Sequence, residues 1–315
     1  MAVRRKGTRK VATPRAQGLS LPTELKPVDG DFGHYLLLVY GREKIGKSTL
    51  FSSFPNALFA TTEPGTKGLQ IYEFNWQDGG VRDWSLFLAM VDLVCGAKHK
   101  FETVVIDTTD RLYDYCLDYV CDTRGIEYPG RDASGDEDYG KSWRAVKQEF
   151  TGAIHRLVQA GIGVCFTSHA KEQQIRTRSG ERYTRIFPSM SNQARAVVEA
   201  LVDFFFYAEY MRVDGVNMRV LVCEGDETVW AGARPGITDS FPQFLPLEAK
   251  GGYEIIASAF RGEYCGLDPA VMLATKATTQ TGKEFIQRAR ASSKRKATVL
   301  KGGAHKVKRG AKAER

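Results

Sequence analysis

The chain has 315 residues, 43% of them hydrophobic and 26% charged, with a net charge of +8, the make-up of a globular protein with room for one large α/β domain or two small ones. Its apolar runs, such as FFFYA at 204–208, are far shorter than the roughly 20 residues of a membrane helix, which argues against a helical bilayer span. The six cysteines form no C-x-x-C pair and most sit in apolar runs, so they read as small core residues and the reducing cytoplasm is the expected compartment.

Charge is spread unevenly. Residues 1–16 hold six Lys or Arg and no acid, and residues 283–315 hold twelve against Glu284 and Glu314, so the stretch between them is acidic. Ends this polar and this rich in Gly, Ala and Ser bury too little apolar surface to order themselves. Residues 1–25 therefore read as a disordered basic arm and 266–315 as a largely disordered basic tail, flanking one domain at 26–265. Both ends can neutralise phosphates, which points to a polyanion partner.

Hydrophobic periodicity along the domain gives strands alternating with helices. YLLLVY (35–40) is a short apolar run, followed by a compact helix and a second run, ALFATT (57–62). An amphipathic stretch at 81–97 leads to a third strand, ETVVID (102–107); DRLYDYCLDYVCDTRG reads as a helix, GIEYPGRDASGDEDYG as a polar loop and KSWRAVKQEFTGAIHRLVQAG as a further helix. IGVCFTS (162–168) is a fourth strand. This alternation predicts an α/β fold with a mostly parallel sheet and helices on both faces. Beyond Ser168, EQQIRTRSGERYTRIF places Ser179-Gly180 between two alternating segments, a β-hairpin or mobile loop; NQARAVVEALV is a helix, DFFFYAEYM a strand, and MRVLVCEG with ETVWAGAR a C-terminal β extension.

Between the first strand and its helix stands GREKIGKST. Gly41, Gly46, Lys47 and Ser48 fit the P-loop pattern G-x-x-x-x-G-K-S/T, in the strand-loop-helix setting that its mechanism needs. In such a loop the amides of Gly41, Arg42, Glu43, Lys44, Ile45, Gly46, Lys47, Ser48 and Thr49 face nucleotide phosphates, Lys47 reaches the β- and γ-phosphates, and Ser48 ligates Mg2+. Asp107, at the end of an apolar strand, is the expected second anchor for the metal. No acid follows Asp107 directly, and there is no N-K-x-D, T-K-x-D or L-S-G-G-Q motif. The candidate for orienting the attacking water is instead Glu63, in ATTEPG at the end of the second strand.

This set of motifs resembles the RecA-like ATPases, and in size and motif order the small phage-encoded RecA-like recombination and annealing ATPases, over roughly residues 33–235. The resemblance implies a strand order of 5-1-4-3-2, with the 162–168 strand between the P-loop strand and the Asp107 strand. It implies that His169 occupies the γ-phosphate sensor position, where RecA has glutamine. It also implies homo-oligomers with ATP between subunits, and Arg234 as the residue reaching into a neighbour's site; the lysine often found two residues before such a finger is Gly232 here.

The family's DNA-contacting loops fall on two irregular segments, one of them the acidic, glycine-rich GRDASGDEDYGKSW, which reads equally as a subunit contact or a disordered lid. In KEQQIRTRSGERYTRIF, Lys171, Arg176, Arg178, Arg182 and Arg185 interleave with Tyr183, the mixture of phosphate-neutralising and base-stacking groups that single strands need. Single-stranded DNA is the expected partner, with a single-strand-binding or replication protein as a further one. Two other readings stay open: a P-loop kinase of a small metabolite, with 171–187 as its lid, and a nucleotide-gated adaptor or helicase loader in which Glu63 does no catalysis.

Overall fold

Side chains that alternate along short, fully buried strands set the layering of this protein. The computed structural model describes residues 21–267, apart from 178–179, 214–215, 235, 237–240 and 249; the basic arm up to residue 20, the tail from 268 and Arg178 lie outside the described residues. In chain order the elements are β1 (Leu37–Gly41), α1 (Lys47–Phe51), β2 (Ala57–Thr61), β3 (Tyr72–Glu73), α2 (Trp84–Gly96), β4 (Thr103–Asp107), α3 (Thr109–Arg124), α4 (Lys141–Gln159), β5 (Gly163–Arg176), β6 (Arg182–Pro188), α5 (Asn192–Leu201), β7 (Phe204–Val213), β8 (Val216–Val222), β9 (Gly232–Ala233), β10 (Phe244–Pro246) and α6 (Gly252–Phe260). The chain divides into two units between Gly30 and Asp31. Residues 21–30 are exposed and hold no helix or strand.

In the second unit, β7, β1, β5, β4 and β2 lie side by side and parallel, which is the expected order 5-1-4-3-2. The sheet is wider than expected. Two-residue β3 continues it in parallel beyond β2, and β8 and β10 extend it antiparallel beyond β7. Such short outer strands blunt the sheet's edges.

Successive residues of the inner strands enter different cores. Leu38, Tyr40, Val104, Ile106, Val164 and Phe166 face the layer of α2, α3, α4 and α5, where Trp84 stacks on Phe150 and its indole N–H donates to Glu149 Oε1 at 3.0 Å. Leu37, Val39, Val105 and Cys165 face the other layer, with α1 and α6. Each large apolar side chain so enclosed contributes about 1.5–3 kcal/mol relative to exposure. Four of the six cysteines are buried and all six are free, and burial pushes the Cys165 and Cys223 thiols far above the usual range.

Local signals place the helix ends. Asp83 caps α2 by accepting from Leu86 N at 2.8 Å, Ser191 caps α5 by accepting from Ala194 N, and α3 stops at Gly125 with φ 62°. The polar loop before α4 is folded on its own aspartates: Asp132 accepts from Ser134 N and Asp136 N, and Asp138 from Gly140 N and Ser142 N.

Candidate active site

Gly41 ends β1 hard against β7, where a Cβ would collide with the Ala208 carbonyl. The chain then turns through Lys44 at φ 60° and Gly46 at φ 112°, and a Cβ on Gly46 would also come within 2.9 Å of the Arg219 guanidinium. Ile45 is fully buried and pegs the turn into the core, while Arg42, Glu43 and Lys44 point outward. Lys47, only 6% exposed, folds back so that Nζ donates to the carbonyls of Gly41 (2.9 Å) and Arg42 (3.0 Å). Burial holds its amine below the usual lysine range, opposed by the Asp107, Asp110, Glu43 and Glu63 carboxylates.

The sheet register sets the acids beside this loop. Gly41 is level with His169, and Asp107 is level with Thr61, two residues before Glu63. Asp107 is held through both oxygens: Ser48 Oγ donates to Oδ2 and Thr167 Oγ1 to Oδ1, each at 2.6 Å. Glu63 accepts from Thr108 Oγ1 at 3.0 Å, and its other oxygen lies 3.5 Å from His169 Nε2. Thr62 Oγ1 bridges the two strand ends, accepting from Thr108 N and donating to Thr108 O. Lys47, Ser48, Glu63, Asp107, Thr108 and His169 line a cleft of about 570 Å³, with Lys44, Gly46, Thr49, Pro64 and Leu69 among its walls. Among the described residues no group of three or more His, Cys, Asp or Glu forms a metal cage. Ser48 and Asp107 are hard oxygen donors of the kind that suit Mg2+, which takes few protein ligands and completes its shell with phosphate and water.

The structure thus brings Lys47, Ser48, Glu63, Asp107 and His169 to one cleft and leaves Arg234 out of it. Arg234, expected to reach a neighbouring subunit, bonds within its own chain to the end of α5: Nε pairs with Asp203 at 2.9 Å, and Nη2 donates to the carbonyls of Ala200 and Leu201. A cation on the last carbonyls of α5 satisfies groups that the helix leaves open.

The basic segment is a hairpin, as one of the two expected forms. β5 runs without a break from the sheet core into it and pairs antiparallel with β6, from Ala170 opposite Pro188 to Arg176 opposite Arg182. Because strand side chains alternate, the basic residues divide between two faces: Arg176 and Arg182 on one, Lys171, Tyr183 and Arg185 on the other. Lys171, expected at the DNA, fastens the hairpin base: Nζ donates to the carbonyls of Ser189 and Met190 at 3.2 and 2.8 Å. Arg185 lies half-buried over the Phe187 ring. Thr108 and Thr167 escaped the sequence reading although both adjoin its motifs, in DTTD and FTSH; threonines beside apolar strands carry no signal of which carboxylate they will meet.

A P-loop beside a strand-end aspartate, on a 5-1-4-3-2 sheet, defines a RecA-like P-loop NTPase domain. The family described as "AAA domain" (AAA_24) matches residues 34–235, and the chain belongs to it. The SPbeta prophage-derived uncharacterized protein YorG of Bacillus subtilis (strain 168) is 22% identical over 183 residues, 57% of this chain and 52% of that protein, so the chain spans about half the length of this curated relative. Among solved structures, the KaiC-like protein PH0186 of Pyrococcus horikoshii OT3 aligns over 64% of this chain and 83% of its own, with 12% identity and a TM-score of 0.36.

Proposed function

We propose that the chain is a Mg2+-dependent ATPase stimulated by single-stranded DNA. It would act as a homo-oligomer in phage recombination, annealing or replication, in the host cytoplasm and beside a single-strand-binding or replication protein. The observation that carries the reading is the continuity of β5. One strand bears Thr167 on Asp107, bears His169 next to Glu63 and then forms the basic hairpin. The prophage origin of the relative supports the setting, and no helix among the described residues is long and apolar enough to cross a membrane.

In this reading Lys47 leaves the carbonyls of Gly41 and Arg42 for the β- and γ-phosphates. Ser48 and Asp107 would hold the metal, and Mg2+ bound there would supply charge neutralisation to the nucleotide phosphates. Glu63, kept in place by Thr108, accepts the proton of the attacking water, and His169 responds to the γ-phosphate from the next strand. The hairpin offers single strands a cationic face at Arg176 and Arg182 and, on its opposite face, the Tyr183 ring for stacking.

Phosphate release measured with and without single-stranded DNA tests the proposal. Stimulation is expected. Transfer of phosphate to a small acceptor, or nucleotide binding without turnover, would overturn it in favour of a kinase or an adaptor.

A further inference from the structure

Asp107 has two carboxylate oxygens and the P-loop serine accounts for only one of them. The other accepts from Thr167 Oγ1 at 2.6 Å. Thr167 is completely buried in the middle of β5, and its β-branched side chain has little χ1 freedom. A second acceptor, the Ile106 carbonyl, lies farther off at 3.3 Å, so the shorter bond to the carboxylate takes the single hydroxyl proton. With Oδ2 turned to Ser48 at the same 2.6 Å, the carboxylate plane is fixed from two sides, by the P-loop and by the strand two residues before His169.

We propose that Thr167 is a positioning residue for the divalent cation: it aims Asp107 Oδ2 at Ser48 and so sets how tightly the metal–nucleotide pair is held. This rests on the nucleotide reading given above. A ligand's outer-sphere hydrogen-bond partner tunes metal affinity by 10- to 100-fold. A valine at 167 keeps the shape but leaves Asp107 Oδ1 without its buried donor, and the carboxylate is then free to rotate away from Ser48.

The test is a Mg2+ titration of fluorescent ATP-analogue binding to the full chain, with binding in EDTA measured in parallel. Thr167→Val should raise the Mg2+ concentration for half-saturation about tenfold or more while leaving binding in EDTA at the wild-type level, and Thr167→Ser, which restores a hydroxyl, should return the requirement toward wild type. If circular dichroism finds Thr167→Val unfolded, Thr167→Ala is read in its place with the same outcomes. A Val or Ala variant with the wild-type Mg2+ requirement overturns the assignment, as does a Ser variant as impaired as the Val one. Wild-type protein without Mg2+-dependent nucleotide binding overturns the nucleotide reading itself, and this assignment with it.

Discussion

At the scale of single residues, binding and chemistry can be tested separately in the cleft. Lys47 is buried and spends its donors on loop carbonyls, so Lys47→Ala is expected to remove nucleotide binding with little loss of stability; truncating one partner of such a charge pair costs about 2–5 kcal/mol of affinity. Wild-type affinity in that variant, measured by equilibrium binding, would remove the P-loop reading. Glu63→Gln retains size and most hydrogen bonding but cannot take a proton, so ATP should still bind while turnover falls by ~10²-fold or more. The amine of Lys47 also gives a pH signature. Burial depresses its pKa in the free protein, and phosphate beside Nζ raises it again. Nucleotide binding should therefore take up a proton at alkaline pH, and affinity should fall as pH rises through the free-state value. Calorimetry at alkaline pH in two buffers of different ionisation heat reads this uptake directly; Lys47→Arg, always charged, should abolish it. Equal heats for the wild type in both buffers would show that Lys47 does not change protonation on binding.

At the scale of elements, the hairpin's register decides which of its cations can serve a nucleic acid. Arg176 and Arg182 stand directly opposite each other, and like charges in that position destabilise a strand pair unless an anion neutralises them. A phosphate backbone on this face would relieve that repulsion. Exchanging both for Gln should lower single-stranded DNA affinity and flatten its log-salt slope by about 1.4, since each lost contact removes ~0.7 on single strands. It should also abolish DNA stimulation of ATP turnover while basal turnover continues. Arg185→Gln, on the other face and packed over Phe187, should instead loosen the base of the hairpin. A double variant with an unchanged salt slope and full stimulation would move the DNA elsewhere.

For the molecule as a whole, a net charge of +8 covers two strongly basic ends on an acidic remainder. Removing residues 1–16 and 283–315 should weaken DNA binding and reduce its salt dependence, while stimulation at saturating DNA persists, because in the proposed reading the ends would supply charge and β5 the coupling. If the trimmed protein bound DNA as tightly and with the same salt slope, the ends would have no part in it. The central sheet was legible from the sequence because its strands are unbroken apolar runs between helices whose apolar residues recur every three or four positions. The outer strands β3 and β10 were not, since two or three residues carry no period, and α6 went unrecognised too.

By itself the sequence determined the P-loop, the strand ending in Asp107 and the place of Glu63, because those chemistries need particular residue types at fixed short spacing or at the ends of apolar strands. What only tertiary structure decided were contacts between distant segments. Thr167 meets Asp107 across 60 positions, Thr108 meets Glu63 across 45, and Arg234 meets the end of α5. Lys171 is tied down at the hairpin base while Arg176 stays exposed. A hydroxyl or a cation has many possible partners in the linear chain. Sheet register and the folding-back of each strand end select one, and no local pattern records the choice.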